Sequence, residues 1–231
     1  MKLRIRFTKL GRIRWTSHRD VARLWERALR RARVPMAYTE GFSPRPKLSF
    51  GLALPTGSES CAEYLDVALA APVDPGPLVP ILSDLLPTGL DVAAAAILDP
   101  GTSSLQEEVS SCRWEIDVPN LDPEAVSGVV ARVLGSEVLA VTRERKGRQV
   151  TDDLRPSVLA LSSTGPRPGG TGLVAELATR PRGVRPTELA QVMGVELGLA
   201  RRTHQWIERD GSRTEPLAPP AADAADWERA S

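Results

Sequence analysis

Two kinds of hydrophobic spacing alternate along the chain and predict a mixture of strands and helices. Over residues 2–8 apolar and charged side chains take turns, which is the two-residue period of a strand with one buried face. Over residues 21–32 the apolar side chains recur at three- and four-residue steps and form one stripe of a helix. Ser17, with Asp20 three residues later, resembles a capping box at the start of this helix, and Pro35 ends it.

Further elements follow in an order that occurs twice. The first half is predicted to continue with strands at 36–38, 47–54 and 62–69, a helix at 77–86 and a strand at 89–98. The second half is predicted to contain a strand at 113–118, a helix at 123–134, strands near 138–145, 158–161 and 172–179, a helix near 186–193 and a strand near 203–208. Both halves read β-α-β-β-β-α-β, a ferredoxin-like unit with one extra strand. The predicted fold is therefore α+β, with two tandem ferredoxin-like units.

Composition predicts where these halves begin and end. Residues 100–110, which open with Pro-Gly-Thr-Ser-Ser, are predicted to link an N-terminal half, residues 1–99, to a C-terminal half, residues 111–210. Residues 163–171, with the sequence STGPRPGGT, are predicted to form a flexible loop. Residues 211–231 are rich in Pro, Ala and Asp and are predicted to form a disordered tail.

The composition argues against several classes of protein. With 42% hydrophobic residues the chain can bury a core, so wholesale disorder is excluded. Cys61 and Cys112 stand far apart, which gives little support to a disulfide framework, a zinc ribbon or a thiol redox motif. The two His residues form no metal-binding motif, and no Walker loop, dinucleotide turn or GxSxG elbow is present. We expect no metal site and no bound cofactor.

The distribution of apolar residues indicates where in the cell the protein is expected. No apolar stretch approaches the ~20 residues that a membrane helix requires. The opening residues alternate charge with hydrophobicity, where a signal peptide would have an unbroken apolar core. We therefore expect a protein of the cytoplasm that does not associate with membranes.

Charge is strongly segregated, although the formal net charge is only +1. Residues 1–50 hold 14 basic and 3 acidic side chains, residues 51–140 hold 2 and 14, and residues 141–231 are nearly balanced. A clustered basic face concentrates polyanions whatever the charge of the whole molecule. The alternative is that the basic segment pairs with the acidic one inside the folded protein.

The first predicted helix carries a second stripe, of arginines, opposite its apolar side. Successive side chains at three- and four-residue steps lie ~5–6 Å apart, which is comparable with the phosphate spacing of a single nucleic-acid strand. An ordinary solvated helix face would have the same pattern, but the preceding segment is basic as well and favours binding. The residues predicted to bind nucleic acid are Arg4, Arg6, Arg12, Arg14, Arg19, Arg23, Arg27, Arg30, Arg45 and Lys47.

Residues 40–50 form the most unusual stretch of the chain. One glycine and two prolines predict a rigid loop with free backbone amides near Phe42 and Ser43, from which Arg45 and Lys47 project. Phe42 or Tyr38 could stack on a base of single-stranded RNA, or Phe42 could instead pack into the core. The residues predicted to shape this loop are Gly41, Phe42, Ser43, Pro44 and Pro46.

His18 is a weak candidate for a catalytic residue. It falls in the first turn of the predicted helix, beside arginines, where a neutral imidazole could act as a general base in RNA cleavage. A solvent-facing His in a capping turn is the simpler interpretation. His204, next but one to Trp206 on a predicted strand, is interpreted as structural.

The N-terminal motifs together resemble a known family. They are Arg4-x-Arg6-Phe7 with Gly11, Thr16-Ser17-His18-Arg19-Asp20, Trp25-Glu26-Arg27-Ala28-Leu29-Arg30-Arg31-Ala32, the loop from Gly41 to Phe50, Leu54-Pro55-x-Gly57-x-Glu59-Ser60 and Glu63-Tyr64-Leu65-Asp66. This set is similar to the uncharacterised bacterial radical-SAM-linked protein family. Its members are domains of unknown function that stand alone or are fused to the C-terminal side of a radical S-adenosylmethionine (SAM) enzyme with a cobalamin-binding-type domain.

The resemblance implies a partnership with a radical SAM enzyme. A radical-SAM cluster needs three neighbouring cysteines, and this chain has two that are distant, so the radical enzyme would be a separate protein. The chain would then be an accessory protein that binds or presents RNA, such as rRNA or tRNA, for modification. The family has no established activity, so the resemblance assigns no catalytic residue.

Two other functions remain open at this stage. Duplicated ferredoxin-like folds with a basic helix also look like CRISPR repeat-processing endoribonucleases, for which His18 and the Gly-rich stretch 163–172 would be the required parts. The order of elements faintly resembles pseudouridine synthases, but the catalytic Asp of that class has no counterpart here. The last alternative is a protein-protein adaptor whose acidic residues 51–140 dock on a partner.

Overall fold

The chain divides into two compact units. The computed structural model describes residues 1–145 and 147–218, and of Arg145 it describes the backbone alone. The first unit comprises Met1–Val109 together with the chain from Ile207 onward, and the second comprises Ser110–Trp206. The first unit is therefore built from both ends of the described chain.

The first unit is a small antiparallel sheet with helices. Its elements are β1 (Lys2–Lys9), α1 (His18–Arg31), β2 (Leu48–Phe50), β3 (Glu59–Ala68), α2 (Leu78–Leu85), β4 (Val92–Leu98) and the single turn α3 (Leu105–Glu108). The strand order is β4-β1-β3, and β2 also pairs with β3. Up to β4 the elements run β-α-β-β-α-β, which is the order of a ferredoxin-like unit.

The core of the first unit forms where the apolar side of β1 meets the apolar stripe of α1. Leu3, Ile5 and Phe7 are buried, and the Phe7 ring lies edge-on to Trp25, with ring centroids 4.8 Å apart. Trp25 is completely buried. This packing fixes which face of α1 points inward and therefore which face remains for solvent.

The second unit repeats this plan with one inserted hairpin. Its elements are β5 (Val109–Pro119), α4 (Pro123–Gly135), β6 (Ala140–Arg145), β7 (Arg148–Asp153), β8 (Val158–Arg167), β9 (Gly170–Ala178), α5 (Pro186–Met193) and β10 (Ala200–Arg209). The sheet order is β10-β5-β9-β8, while β6 and β7 form a separate two-stranded hairpin. Without that hairpin, the order of elements and of strands matches the first unit. The predicted α+β class is confirmed, and the duplicated ferredoxin-like plan is compatible with both units.

Several predicted segments differ from the structure. The predicted strand at 36–38 is reduced to two isolated bridges, from Met36 to Leu69 and from Tyr38 to Pro46. The predicted strand at 47–54 is only three residues long, because extended pairing with β3 ends at Phe50. The hairpin strand β7 was not predicted, since its short polar segment has little hydrophobic pattern.

One prediction of flexible chain was wrong, and another placed the start of the tail too early. Residues 163–171 are not a flexible loop: they lie in the β8–β9 hairpin, where Ser163 pairs with Leu173 and Arg167 pairs with Gly170. The predicted disordered tail begins with ordered chain, because β11 (Ser212–Thr214) pairs with the end of β10. The rest of the predicted tail, from residue 219, lies outside the described residues.

Within the described ranges, no helix is both long enough and apolar enough to cross a membrane.

Candidate nucleic-acid interface

Helix α1 begins where the sequence predicts, because Ser17 caps it. The Ser17 hydroxyl accepts a hydrogen bond from the Asp20 amide (3.2 Å) and donates one to Asp20 Oδ2 (2.8 Å). This satisfies one of the amides left free in the first turn of a helix. The buried side chains of α1 are Val21, Trp25, Ala28 and Leu29. The opposite face of the helix is exposed.

The same cap sets the acidity of Asp20. The hydrogen bond from Ser17, helped by the charge of Arg23, lowers the pKa of the Asp20 carboxyl below its usual range. A carboxyl whose pKa is lower in the folded state adds stability above its unfolded pKa, and that stability is lost as pH falls through the folded pKa. Ser17→Ala is therefore expected to raise the pKa of Asp20 towards its ordinary value and to weaken this loss of stability in acid.

A carboxyl ¹³C NMR titration of wild type and Ser17→Ala measures this shift. Asp153 is an internal control, because two backbone amides lower its pKa and Ser17 plays no part there. Equal Asp20 pKa values in the two proteins would contradict the assignment of Ser17 as the main cause.

The outer face of α1 carries the predicted arginines, here called the arginine ridge. Its exposed members are Arg19, Arg23, Arg27 and Arg30. Arg23 Nη1 lies 3.1 Å from Asp20 Oδ1, and Arg30 Nη2 lies 3.9 Å from Glu26 Oε2. Both pairs are exposed, and such pairs are individually weak. Arg19 and Arg27 have no ion-pair partner in the part of the chain that the structure describes.

Arg4 and Arg6 do not belong to this surface, contrary to the prediction. Both faces of β1 are buried, and the Arg4 and Arg6 side chains are only 2% and 1% exposed. Arg4 Nε and Nη2 donate to the two carboxylate oxygens of Asp66 at 2.7 and 2.8 Å. Arg6 Nη1 donates to Glu215 Oε2 at 2.5 Å. These two arginines are neutralised internally.

A 3-10 turn, Gly11–Trp15, joins β1 to α1 and adds an aromatic ring. Arg12 is exposed, whereas Arg14 is half-buried with its Nη1 3.3 Å from Glu59 Oε1. The Arg14 guanidinium carbon lies 5.4 Å from the Trp15 ring centroid, within cation–π distance. Trp15 is 65% exposed, two residues before the start of α1. The ridge therefore begins beside an exposed aromatic side chain.

Buried charged groups hold the 3-10 turn in place. Lys9 Nζ donates to the backbone oxygens of Arg14 (3.2 Å) and Thr16 (2.9 Å), and Glu59 Oε1 accepts from the Gly11 amide at 2.8 Å. Burial lowers the pKa of Lys9, and the charge of Glu63 partly opposes this effect. Trp15 is therefore held on a turn that side chains fix at both ends.

The loop containing residues 40–47 projects into solvent, as predicted. Its base is closed by the Thr39 amide, which donates to the Arg45 oxygen, and by the Arg45 amide, which donates to Thr39 Oγ1 at 3.0 Å. Phe42 is fully exposed and Tyr38 is 41% exposed, so neither ring is packed in the core. The exposed loop residues include Gly41, Phe42, Ser43, Pro44, Arg45 and Lys47, whereas Pro46 is buried.

His18 lies at the exposed start of α1 and contacts the strand that follows the loop. Its ring centroid is 5.0 Å from that of Phe50, in an edge-to-face arrangement. Lys9, His18 and Glu63 line one recess of about 20 Å³, which is room for about one water molecule. The Gly-rich stretch 163–172 that a nuclease would require forms part of the β8–β9 hairpin in the second unit.

Sequence reasoning assigned no role to Trp15 or Glu63, and it counted Lys9 with the exposed basic segment although Lys9 is buried. Trp15 had a usable signal, since it follows a basic segment and precedes a helix cap. The burial of Lys9 had no signal in the sequence, because a lysine at the end of an alternating strand is normally exposed. Glu63 lay in a predicted strand with no indication that it shares a recess with His18. Across the described ranges no three His, Cys, Asp or Glu side chains group to hold a metal ion.

The fold and this surface define an α+β protein of two compact units, the first of which exposes arginines next to aromatic rings. The chain belongs to the bacterial family described as "Uncharacterized protein conserved in bacteria (DUF2344)", whose profile matches residues 2–186. A comparison with curated proteins gave no match.

Proposed function

We propose that this protein is an accessory protein that binds RNA on its first unit and presents it to a separately encoded radical SAM enzyme. The observation that carries the proposal is the arginine ridge, Arg19, Arg23, Arg27 and Arg30, which is exposed along one helix face beside Trp15. Arginine binds phosphate oxygens through a planar fork of donors.

Three exposed aromatic rings support RNA as the polyanion. Trp15 precedes the ridge, and Tyr38 and Phe42 lie on the loop that precedes Phe50, the neighbour of His18. Unpaired bases stack on such rings, and each stacked base contributes about 1–3 kcal/mol to binding. Arg12, Arg45 and Lys47 are exposed on the same two connecting segments and supply further charge.

The radical SAM partnership rests on the resemblance of the N-terminal motifs to radical-SAM-linked proteins. This chain contains two cysteines, Cys61 and Cys112, and both are buried. An iron–sulfur cluster of a radical SAM enzyme needs three cysteine ligands close together. The radical chemistry is therefore assigned to the partner, and this chain is assigned substrate binding.

The proposal predicts that immobilised protein retains total RNA in a salt-dependent manner. Four phosphate contacts to a single strand give a slope of roughly −3 in log K against log salt, or about a 50-fold loss of affinity between about 50 and 200 mM salt. Retention is measured by eluting bound RNA across this range. Absence of retention at the low-salt end would contradict RNA binding.

A pull-down with the radical SAM enzyme tests the partnership, with and without ribonuclease treatment. Retention that ribonuclease abolishes supports a complex bridged by RNA. Retention that is indifferent to ribonuclease, combined with no RNA binding, would instead select a protein-protein adaptor that docks through the acidic residues 51–140.

The recess lined by Lys9, His18 and Glu63 favours a second candidate, an RNA-processing endoribonuclease with His18 as general base. Loss of cleavage in His18→Ala, with RNA binding intact, would select this function. His204→Ala is the matched control, because that ring stacks on Trp206 in the second unit with centroids 4.7 Å apart. Absence of cleavage of structured RNA by the wild type would discard it.

A further inference from the structure

Arg6 is a buried cation whose carboxylate partner comes from the far end of the described chain. It lies on β1, opposite Tyr64 of β3, and its guanidinium carbon is 5.8 Å from the Tyr64 ring centroid. Nη1 donates to Glu215 Oε2 at 2.5 Å and to the backbone oxygen of Leu217 at 3.1 Å. A buried arginine needs an anion beside it, and here the segment around Glu215 supplies one.

Arg4, two residues earlier on the same face of β1, forms a fully hydrogen-bonded ion pair and serves as a comparison for Arg6. Its Nε and Nη2 both donate to Asp66, whose position on the neighbouring strand is fixed by the sheet. This is the bidentate arrangement in which the fork of arginine matches a carboxylate. The same two nitrogens of Arg6, Nε and Nη2, are buried and have no hydrogen-bond partner among the described residues.

Arg6 therefore leaves unused the edge of its guanidinium that is best suited to a planar or tetrahedral oxyanion. A buried donor without a partner destabilises the fold, and more so when it is charged. Independently of RNA binding, we propose that Arg6 is the receptor for a carboxylate or phosphate group of a ligand, and that Glu215, which contacts Nη1 alone, is an internal, displaceable substitute for that group.

The segment that carries Glu215 is weakly anchored, as expected of a segment that a ligand can displace from Arg6. It follows β11, a three-residue strand whose residues are all exposed and which pairs with Ile207–Arg209. After β11, the segment also contacts Tyr64. Tyr64 Oη lies 3.5 Å from Glu215 Oε1 and 3.4 Å from the Leu217 oxygen, and both distances are long for hydrogen bonds. Burial also raises the pKa of Glu215, although the charge of Arg6 opposes this effect. The buried position therefore disfavours the ionised form of the Glu215 carboxyl. Segments with few buried contacts open at low free-energy cost.

The first test asks whether an oxyanion takes the place of Glu215. Glu215→Gln removes the carboxylate charge, and its melting temperature is expected to fall by roughly 5–15 °C, because Arg6 then lacks a counter-charge. Inorganic phosphate or acetate, compared with chloride at equal ionic strength, is expected to restore at least about half of this loss in a saturable manner. The better of the two anions identifies whether the ligand group is a phosphate or a carboxylate.

Two variants serve as controls for the restoration of stability by anions. Glu59→Gln also neutralises a buried carboxylate that faces an arginine, Arg14, but that arginine is 31% exposed and should gain nothing from either anion. Glu215→Gln combined with Arg6→Lys keeps the positive charge and removes the fork, so rescue should disappear. Equal stabilisation of all variants, or no rescue of Glu215→Gln, would overturn the proposal.

The second test uses the wild-type chain and applies even if Glu215→Gln does not fold. Amide hydrogen exchange of residues 212–218 is measured with and without saturating phosphate or acetate. Displacement of Glu215 is expected to increase exchange in this segment by at least a few-fold and to leave α5, in the second unit, unchanged. Unchanged exchange in residues 212–218 with both anions would overturn the proposal.

Discussion

Replacing Asp66 with Asn is expected to lower the free energy of unfolding by about 3 kcal/mol. Removing one partner of a buried ion pair usually costs about 3–5 kcal/mol, because the other charge stays buried without compensation. Arg4 and Asp66 are 2% and 5% exposed and share two hydrogen bonds. Glu108 Oε2, 3.7 Å from Arg4 Nη1, remains after the change, which places the expected cost at the lower end of that range.

Urea unfolding of wild type and Asp66→Asn measures this loss. Glu26→Gln is the matched control, since it removes an exposed carboxylate whose nearest arginine atom lies 3.9 Å away, and it should leave the unfolding midpoint nearly unchanged. The double variant Arg4→Leu with Asp66→Leu should recover most of the lost stability, because a buried pair can be replaced by apolar side chains at little cost. A midpoint for Asp66→Asn within error of wild type would contradict this account of Arg4.

Replacing the whole arginine ridge with alanine is expected to reduce RNA affinity by one to two orders of magnitude at about 100 mM salt. Each lost phosphate contact to single-stranded RNA removes roughly 0.7 from the salt slope, so the variant with all four changes should have a slope shallower by about 3. The four side chains lie on the exposed face of α1, away from its buried residues, so the fold should be retained. Fluorescence anisotropy with a labelled RNA, repeated at several salt concentrations, gives both quantities.

A second variant separates local charge from net charge. It replaces four exposed arginines outside the ridge and so removes the same four positive charges: Arg113, Arg148, Arg180 and Arg185. If binding depends on the ridge, this control keeps most of the affinity and slope of the wild type. Equal losses in the two variants would mean that RNA responds only to the charge of the whole molecule, and the ridge would not be the binding surface.

Local patterns predicted the helices well. The boundaries of α5 match the predicted residues 186–193, and α1 follows Ser17 and ends before Pro35 as expected. Both depend on signals within about one helical turn, namely apolar spacing, a cap and a proline. Most strand positions were also found, but strand lengths depend on partners that are distant in sequence. For that reason 163–171 was interpreted as a loop, although it completes the β8–β9 hairpin.

The candidate surface was only partly predictable. The exposed face of α1 follows directly from its apolar stripe, and the ridge lies where the sequence places it. Arg4 and Arg6 alternate with buried residues in the same way, but a two-residue period distinguishes the two faces of a strand without showing that either is exposed. Their partners, Asp66 and Glu215, lie 62 and 209 residues away in the chain, beyond the reach of any local pattern.

The division of the chain into units bears on the order in which they are completed during synthesis. Ribosomes make the first unit's sheet first, but β11 and Glu215, which pairs with Arg6, are made last. The second unit, Ser110–Trp206, is continuous and has all its residues available before the first unit does. Domains that are continuous in sequence fold as units while the chain grows. Although its synthesis starts later, the second unit therefore has its last residue made earlier, and the newly made first unit lacks the partner of Arg6 until translation has passed residue 215.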